Sequence, residues 1–404
     1  MNFTAFNFHP QILEGIEASG YVTATPVQEQ VIPHIMEGKD IIASAQTGTG
    51  KTAAFLLPLM NHLIDHKHDN KVSALIVVPT RELAIQISQH IEGLSYFTNI
   101  SSIAIYGGND GQSFVAEKKG LQMGADIVVC TPGRLIAHLN MSYTSFSGVQ
   151  CLVLDEADRM LDMGFSEDLE KIIQSLPAKR QTLLFSATMP EKIRLLARKI
   201  LKNPTEINIA ISKPPEKIVQ KAFVIYENQK LTVVKHLLKT TPFKSALIFC
   251  SRKVNVKQLA RELQQGGFSI GEIHSDLEQK QREEMLQGFS SGRIPILVAT
   301  DILSRGIDID TIDLVINYDV PGDGEDYVHR IGRTARAEAD GMAFTLIGEK
   351  EQNKFATIEE LLGKEVDKAP LPQHLGPVPA YQPRSRSANK KPGRKFHNHR
   401  SERR

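Results

Sequence analysis

Ala45-Gln-Thr-Gly-Thr-Gly-Lys-Thr52 is the stretch of this chain best suited to chemistry on a phosphate. It follows an apolar run, Ile41–Ser44, and opens onto a segment of helical period. Glycine-rich backbone at a helix start can turn several N–H groups toward one anion. Lys51 can then reach the β and γ phosphates of a nucleotide, and the Thr52 hydroxyl can bind Mg2+. The first position of the pattern is Ala45 rather than glycine, which keeps it small. Ala45, Gln46, Thr47, Gly48, Thr49, Gly50, Lys51 and Thr52 are therefore candidate ATP-binding residues.

Asp155-Glu-Ala-Asp158 follows a second apolar run, Cys151–Leu154. Carboxylates at the carboxyl end of a parallel strand face the crevice where α/β proteins bind ligands. Asp155 would hold Mg2+ through water, and Glu156 would orient and polarise an attacking water. Two acids alone mark a solvated turn more often than a site. The loop at 45–52 changes that balance.

The elements that must position these residues are legible as short apolar runs separated by helix-period segments. Strands are expected at Ile41–Ser44, Ala74–Val78, Ile103–Tyr106, Ile127–Cys130, Cys151–Leu154 and Thr182–Phe185. Ile193, Leu196, Ala197, Ile200 and Leu201 fall on one helical face. The pattern breaks at 211–217, where Ser-Lys-Pro-Pro-Glu-Lys can continue neither element. It restarts with strands at Val219–Tyr226, Ala246–Phe249, Ile270–Ile273, Ile296–Ala299, Leu314–Asn317 and Met342–Ile347, and a last helix holds Ile358, Leu361 and Leu362. Continuous apolar strands alternating with helices predict parallel sheets covered on both faces.

Asp155-Glu-Ala-Asp158, with segments in matching order over nearly all of residues 1–365, resembles the DEAD-box RNA helicase family, and in its general look the bacterial members with short basic tails, the RhlE-like group. The resemblance implies an α/β fold of two tandem RecA-like P-loop domains: 1–210 binding ATP, 211–217 a linker, 218–366 the second helicase domain and 367–404 a disordered basic tail. It implies an RNA-stimulated ATPase that separates short duplexes locally.

Gly20-Tyr-Val-Thr-Ala-Thr-Pro-Val-Gln28 looks like the family's adenine-reading segment. The Gln28 carboxamide offers a donor and an acceptor that match adenine N7 and N6. The family stacks an upstream aromatic on the base; the spacing points to Phe3, with Phe6 and Phe8 nearby. Ser186-Ala-Thr188 resembles the coupling motif, whose hydroxyls would bond the acids of 155–158. In His329-Arg-Ile-Gly-Arg-Thr-Ala-Arg336, Arg333 and Arg336 match the arginine fingers that stabilise charge on the transferring phosphate. Ala299-Thr-Asp-Ile-Leu-Ser-Arg-Gly-Ile-Asp308 resembles a further motif, in which Asp308 would accept from the ribose and Thr300 would contact RNA. By the same resemblance Thr80, Arg81, Gly107, Gly108, Thr131, Gly133 and Arg134 line an RNA path on the first domain, and Ser251, Arg252 and Thr300 on the second. Hydroxyls, glycine N–H groups and arginines bind phosphate and sugar without reading bases. Gln279 and Arg282 resemble an interdomain pair, and His274-Ser-Asp276 departs from the family's His-Gly pattern.

The 404 residues carry a net charge of only +2, unevenly spread. Tyr381–Arg404 holds nine Lys or Arg against Glu402, a local +8 that leaves −6 for the remainder. Such a tail buries little apolar surface and suits a sequence-independent tether to RNA phosphates. Cys130, Cys151 and Cys250 lie far apart and form no metal-binding pattern. No apolar run approaches a membrane span, so a cytoplasmic location is expected. Two other functions share many of these features: a DNA translocase of the same superfamily, and an ATP-dependent RNA clamp that does not unwind. A single-domain P-loop kinase leaves the second half unexplained.

Overall fold

The computed structural model describes residues 1–45, 49–64, 71–107, 111–141, 143, 145–209, 218–300, 312–322, 324–334 and 341–383. Seven strands form the first sheet: β1 (Ile41–Ser44), β2 (Ala74–Val77), β3 (Ser102–Ile105), β4 (Ile127–Cys130), β5 (Cys151–Leu154), β6 (Gln181–Ser186) and β7 (Thr205–Asn208). Seven more form the second: β8 (Ile218–Ile225), β9 (Ala246–Phe249), β10 (Ile270–Ile273), β11 (Ile296–Ala299), β12 (Leu314–Asn317), β13 (Gly341–Gly348) and β14 (Asp367–Lys368). The first sheet runs β3-β4-β2-β5-β6-β1-β7 and the second β10-β11-β9-β12-β13-β8-β14, which is one strand order used twice. The pairings are parallel throughout. These are the two tandem RecA-like domains expected.

The central strands are apolar throughout because both faces are covered. Along β5, Cys151 and Val153 join one core while Leu152 and Leu154 join the other. Burying each such side chain contributes about 1.5–3 kcal/mol. The second sheet repeats the arrangement: Ala246 and Ile248 face one core, Leu247 and Phe249 the other.

Two strands escaped the sequence reading. β7 is an edge strand in which only Ile207 is buried, and β14 is two residues long. The second changes the account of the tail expected from residue 367. Asp367 pairs with Lys221 and Lys368 with Ala222. The chain then crosses the second domain as a strap. Gln229 Nε2 donates to the carbonyls of Leu375 and Pro377, both at 3.0 Å. Gln352 Nε2 donates to Ala380 O at 2.9 Å and its Oε1 accepts from Gln382 N at 2.7 Å. Tyr381 OH donates to Glu359 Oε2 at 2.7 Å. Residues 367–383 are thus part of the folded second domain; the basic run 384–404 and the linker at 211–217 lie outside the described residues.

Candidate functional site

In parallel sheets the carboxyl ends of all strands lie along one edge, so strand order fixes which loops are neighbours. Along the first sheet's edge that order is Gly107 after β3, Thr131–Arg134 after β4, Thr80–Arg81 after β2, Asp155–Asp158 after β5, Ser186–Thr188 at the end of β6, and Ala45 onward after β1. The nucleotide-type motifs occupy one half of the edge and the phosphodiester-type motifs the other. They meet between β5 and β2.

On the nucleotide side, Ala45 N donates to Ser186 O at 3.1 Å, which holds the loop against β6. Gly50 has φ +89, and an added Cβ would lie 2.6 Å from Gln28 Nε2. Only glycine meets both demands. Gln28 is 1% exposed. Its Oε1 accepts from Thr25 N at 2.9 Å and its Nε2 donates to Gly50 O at 3.1 Å. The carboxamide therefore ties its helix to the loop at Gly50. Phe3 is 2% exposed, its ring 6.1 Å from that of Phe6 and 6.0 Å from that of Tyr21. Phe3 is part of the core of the first domain.

Lys51, Asp155, Glu156 and Asp158 are all buried. Lys51 Nζ has no hydrogen-bond partner, which suits a phosphate ligand, and Glu156 Oε2 makes no hydrogen bond but lies 3.7 Å from the Arg159 guanidinium. Burial first, and then the neighbouring Glu156 and Asp158, push the Asp155 carboxyl up to about 6 despite the opposing pull of Lys51. Glu156 takes the left-handed conformation, φ 51, which costs about 1–3 kcal/mol in a non-glycine residue and is concentrated at working sites. Among the described residues no three acids, histidines or cysteines converge on a cation position. Asp155 and Thr52 carry hard oxygen donors of the kind Mg2+ takes, so these two side chains would hold that ion.

Ser186 Oγ accepts from Asp158 N at 3.3 Å and donates to Thr188 O at 2.7 Å. Asp158 Oδ2 accepts from Thr188 N at 3.1 Å. The link to the acids expected from two hydroxyls is thus made by the Ser186 hydroxyl and the Thr188 backbone amide.

On the other half, Thr80 Oγ1 accepts from Leu83 N at 3.3 Å and caps helix Arg81–Leu94. Gly107 sits where a Cβ would lie 3.4 Å from the Arg81 guanidinium, and a Cβ on Gly133 would meet open space. Thr131 precedes helix Pro132–Leu139. Arg134 is engaged within the protein: its Nε donates to Glu117 Oε2 at 2.7 Å. In the second domain, Ser251 N donates to Asp319 Oδ2 at 2.8 Å, Arg252 is exposed, and the buried Thr300 Oγ1 has no partner. Arg333 follows helix Gly324–Ile331 and is partly exposed. Gln46, Thr47, Gly48, Gly108, Asp308 and Arg336 lie outside the described residues.

Arg282 of the second domain reaches the first across 200 residues: its Nη1 donates to Glu82 Oε1 at 3.2 Å, with both side chains largely buried. Gln279, its expected companion, instead donates to Glu283 at 3.0 Å in its own helix. His274 Nδ1 accepts from Asp276 N at 3.2 Å, and burial lowers the imidazole's affinity for a proton.

Residues 25–196 match the family described as DEAD/DEAH box helicase, and residues 229–338 the helicase conserved C-terminal domain. The chain is 43% identical over 371 residues to the ATP-dependent RNA helicase CshA of Listeria monocytogenes, covering 92% of this chain and 70% of that one. The chain belongs to the DEAD-box ATP-dependent RNA helicase family. It superposes on S. cerevisiae Dbp5 bound to RNA and ADP BeF3 with a TM-score of 0.83 at 29% identity, covering 91% and 95% of the two chains. Against the DEAD box protein of Methanococcus jannaschii the identity rises to 40%, yet the TM-score falls to 0.53 over 92% and 99%. CshA bears out the bacterial assignment; nothing in these likenesses singles out the RhlE-like group.

Three features of this DEAD-box chain were not legible in the sequence. Arg330 is fully buried and donates to Asn317 Oδ1 at 3.3 Å and Asp319 O at 3.1 Å. Lys230 Nζ lies among Glu227, Asp319 and Glu351 at 3.1, 3.2 and 3.1 Å; burial opposes its charge and the carboxylates outweigh that, raising its pKa. Glu117 bonds Arg134 and is itself contacted by the buried His138. Apart from Glu227, three residues before Lys230, the partners of these groups lie 11 or more residues away, so local spacing does not announce them.

Proposed function

We propose that this DEAD-box protein uses ATP binding to close its two domains on RNA, separates short duplexes locally, and resets by hydrolysis. The observation that carries the reading is the divided strand edge, with Arg282 of the second domain bonded to Glu82 at the start of the RNA-side helix. In this reading Ala45 to Thr52 and Gln28 hold ATP, and Asp308 the ribose. Thr52 and Asp155 would hold Mg2+, whose charge would offset that of the phosphates. Glu156 orients the water, Arg333 and Arg336 supply positive charge from the second domain, and Ser186 and Thr188 link the acids to closure. Because the parts are split between domains, turnover requires closure. Thr80, Arg81, Gly107, Gly108, Thr131, Gly133, Arg134, Ser251, Arg252 and Thr300 contact the RNA backbone.

Opening five base-pair steps costs about 7 kcal/mol at about 1.4 kcal/mol each, with DNA stacking as the scale. Differential binding of that size lies within reach of one closed state. Single-turnover strand separation of a short RNA duplex with a non-hydrolysable ATP analogue tests this. Separation in one round, without turnover, is expected; none at all would overturn binding-driven melting. The basic run 384–404 acts as a tether. Ending the chain after Pro383 should weaken RNA binding and flatten its dependence on salt, and an unchanged slope would remove the tether.

A further inference from the structure

Arg134 is held by a buried polar cluster to which no role has been given. Helix Gly111–Met123, after β3, lies against helix Pro132–Leu139, after β4. Glu117 Oε2 accepts from Arg134 Nε at 2.7 Å and lies 2.8 Å from His138 Nε2. Ser113 Oγ accepts from Arg134 Nη2 at 3.4 Å. The Phe114 ring lies 4.7 Å from the guanidinium carbon and stacks on His138 at 4.3 Å, with 6° between the planes. The Tyr143 hydroxyl meets His138 Nδ1. Side-chain exposure falls from 16% at Arg134 to 8% at Glu117 and 0% at His138.

A buried carboxylate without a partner would be costly, so Glu117 and Arg134 hold one another in place. A guanidinium has five N–H donors. Glu117 and Ser113 engage two of them, on Nε and Nη2, leaving three on the Nη edge. That edge is the fork that fits a phosphate.

We propose that Glu117, braced by His138, is the positioning residue of Arg134: it grips the guanidinium through Nε and presets the Nη edge toward an RNA phosphate. This rests on the reading of Arg134 as an RNA contact. It makes a prediction opposite in sign to simple electrostatics. Removing an acid beside a phosphate site should tighten RNA binding; removing a positioning acid should weaken it.

The test is single-stranded RNA affinity, together with KM for RNA and kcat at saturating RNA, for the full chain. Glu117→Ala is expected to weaken binding about tenfold, the scale set by the freedom an unrestrained arginine loses when it binds. KM for RNA should rise while kcat is retained. Glu117→Gln, which keeps an acceptor for Nε, should restore most of the affinity. Glu117→Asp keeps the charge but is one methylene short, and should weaken binding even if Glu117→Ala fails to fold. Glu117→Ala combined with Arg134→Ala should be no weaker than Arg134→Ala alone. Unchanged or tighter RNA binding by Glu117→Ala or Glu117→Asp, with Arg134→Ala weakened, overturns the positioning role alone. No effect of Arg134→Ala overturns the RNA contact and the inference together.

Discussion

Replacing Arg282 by methionine removes the charge that reaches from the second domain to Glu82 while keeping an apolar stem of similar length. The side chains are 12% and 6% exposed, so the bond is largely shielded from solvent. A hydrogen bond to a charged group contributes about 1.5–3 kcal/mol. Breaking a permanently buried pair costs more, about 3–5 kcal/mol. The lower range applies here because Glu82 is rehydrated when the domains part. Some of the loss is offset, because Arg282 disfavours the charge on Arg81, whose guanidinium is held down first by burial and then by Arg282. At about 1.4 kcal/mol per tenfold, the closed state loses a factor of about 10–100. RNA-stimulated kcat/KM should fall by that factor. Arg282 also donates to Ser275 O at 3.1 Å inside its own domain, so the single variant mixes two effects. A double-mutant cycle with Glu82→Gln separates them, because the Ser275 contact does not involve Glu82. The expected coupling is about 1 kcal/mol or more, with the double variant little worse than Arg282→Met. Additive losses, or a fall of less than about twofold, would refute the idea that this bond supports closure.

Gly50→Ala should raise KM for ATP about tenfold or more, since the left-handed backbone disfavours a side chain by about 1–2 kcal/mol and the new Cβ would meet Gln28 Nε2 at 2.6 Å; a steady-state titration of ATP checks it. Ending the chain at Val366 removes β14 and the Tyr381–Glu359 bond and should lower the melting temperature by about 5–10 °C, whereas ending it at Pro383 should leave it unchanged in a thermal scan. The three buried cysteines should resist a disulfide reagent at pH 8 in the native protein and react once it is denatured. Burial pushes the Cys151 thiol up to about 12, so raising the pH from 8 to 9 leaves it protonated and should not hasten its labelling.

The interior strands were legible because parallel sheets bury both faces, which leaves unbroken apolar runs such as Cys-Leu-Val-Leu at β5. Edge strands carry no such mark: in β7 only Ile207 is buried, and β14 sits beside prolines that suggested a disordered tail. The nucleotide side of the site was legible because its chemistry is local, one loop and one acid pair after two strands. Its wiring was not. Gln28 bonds Gly50 at 22 residues' distance, Arg134 bonds Glu117 at 17, and Arg282 bonds Glu82 at 200. Such pairs depend on which helices the sheet order brings together, and composition does not encode that. Thr188 shows a smaller gap: its hydroxyl drew attention, but its backbone N–H makes the bond to Asp158.

The central claim is that RNA drives ATP turnover by closing a site divided between the two domains. Steady-state ATPase with and without single-stranded RNA, with matched DNA as control and Glu156→Gln as the inactive reference, tests it most directly. Strong stimulation by RNA alone, abolished in Glu156→Gln, is the predicted result. Equal stimulation by DNA, or turnover that ignores both nucleic acids, would contradict it.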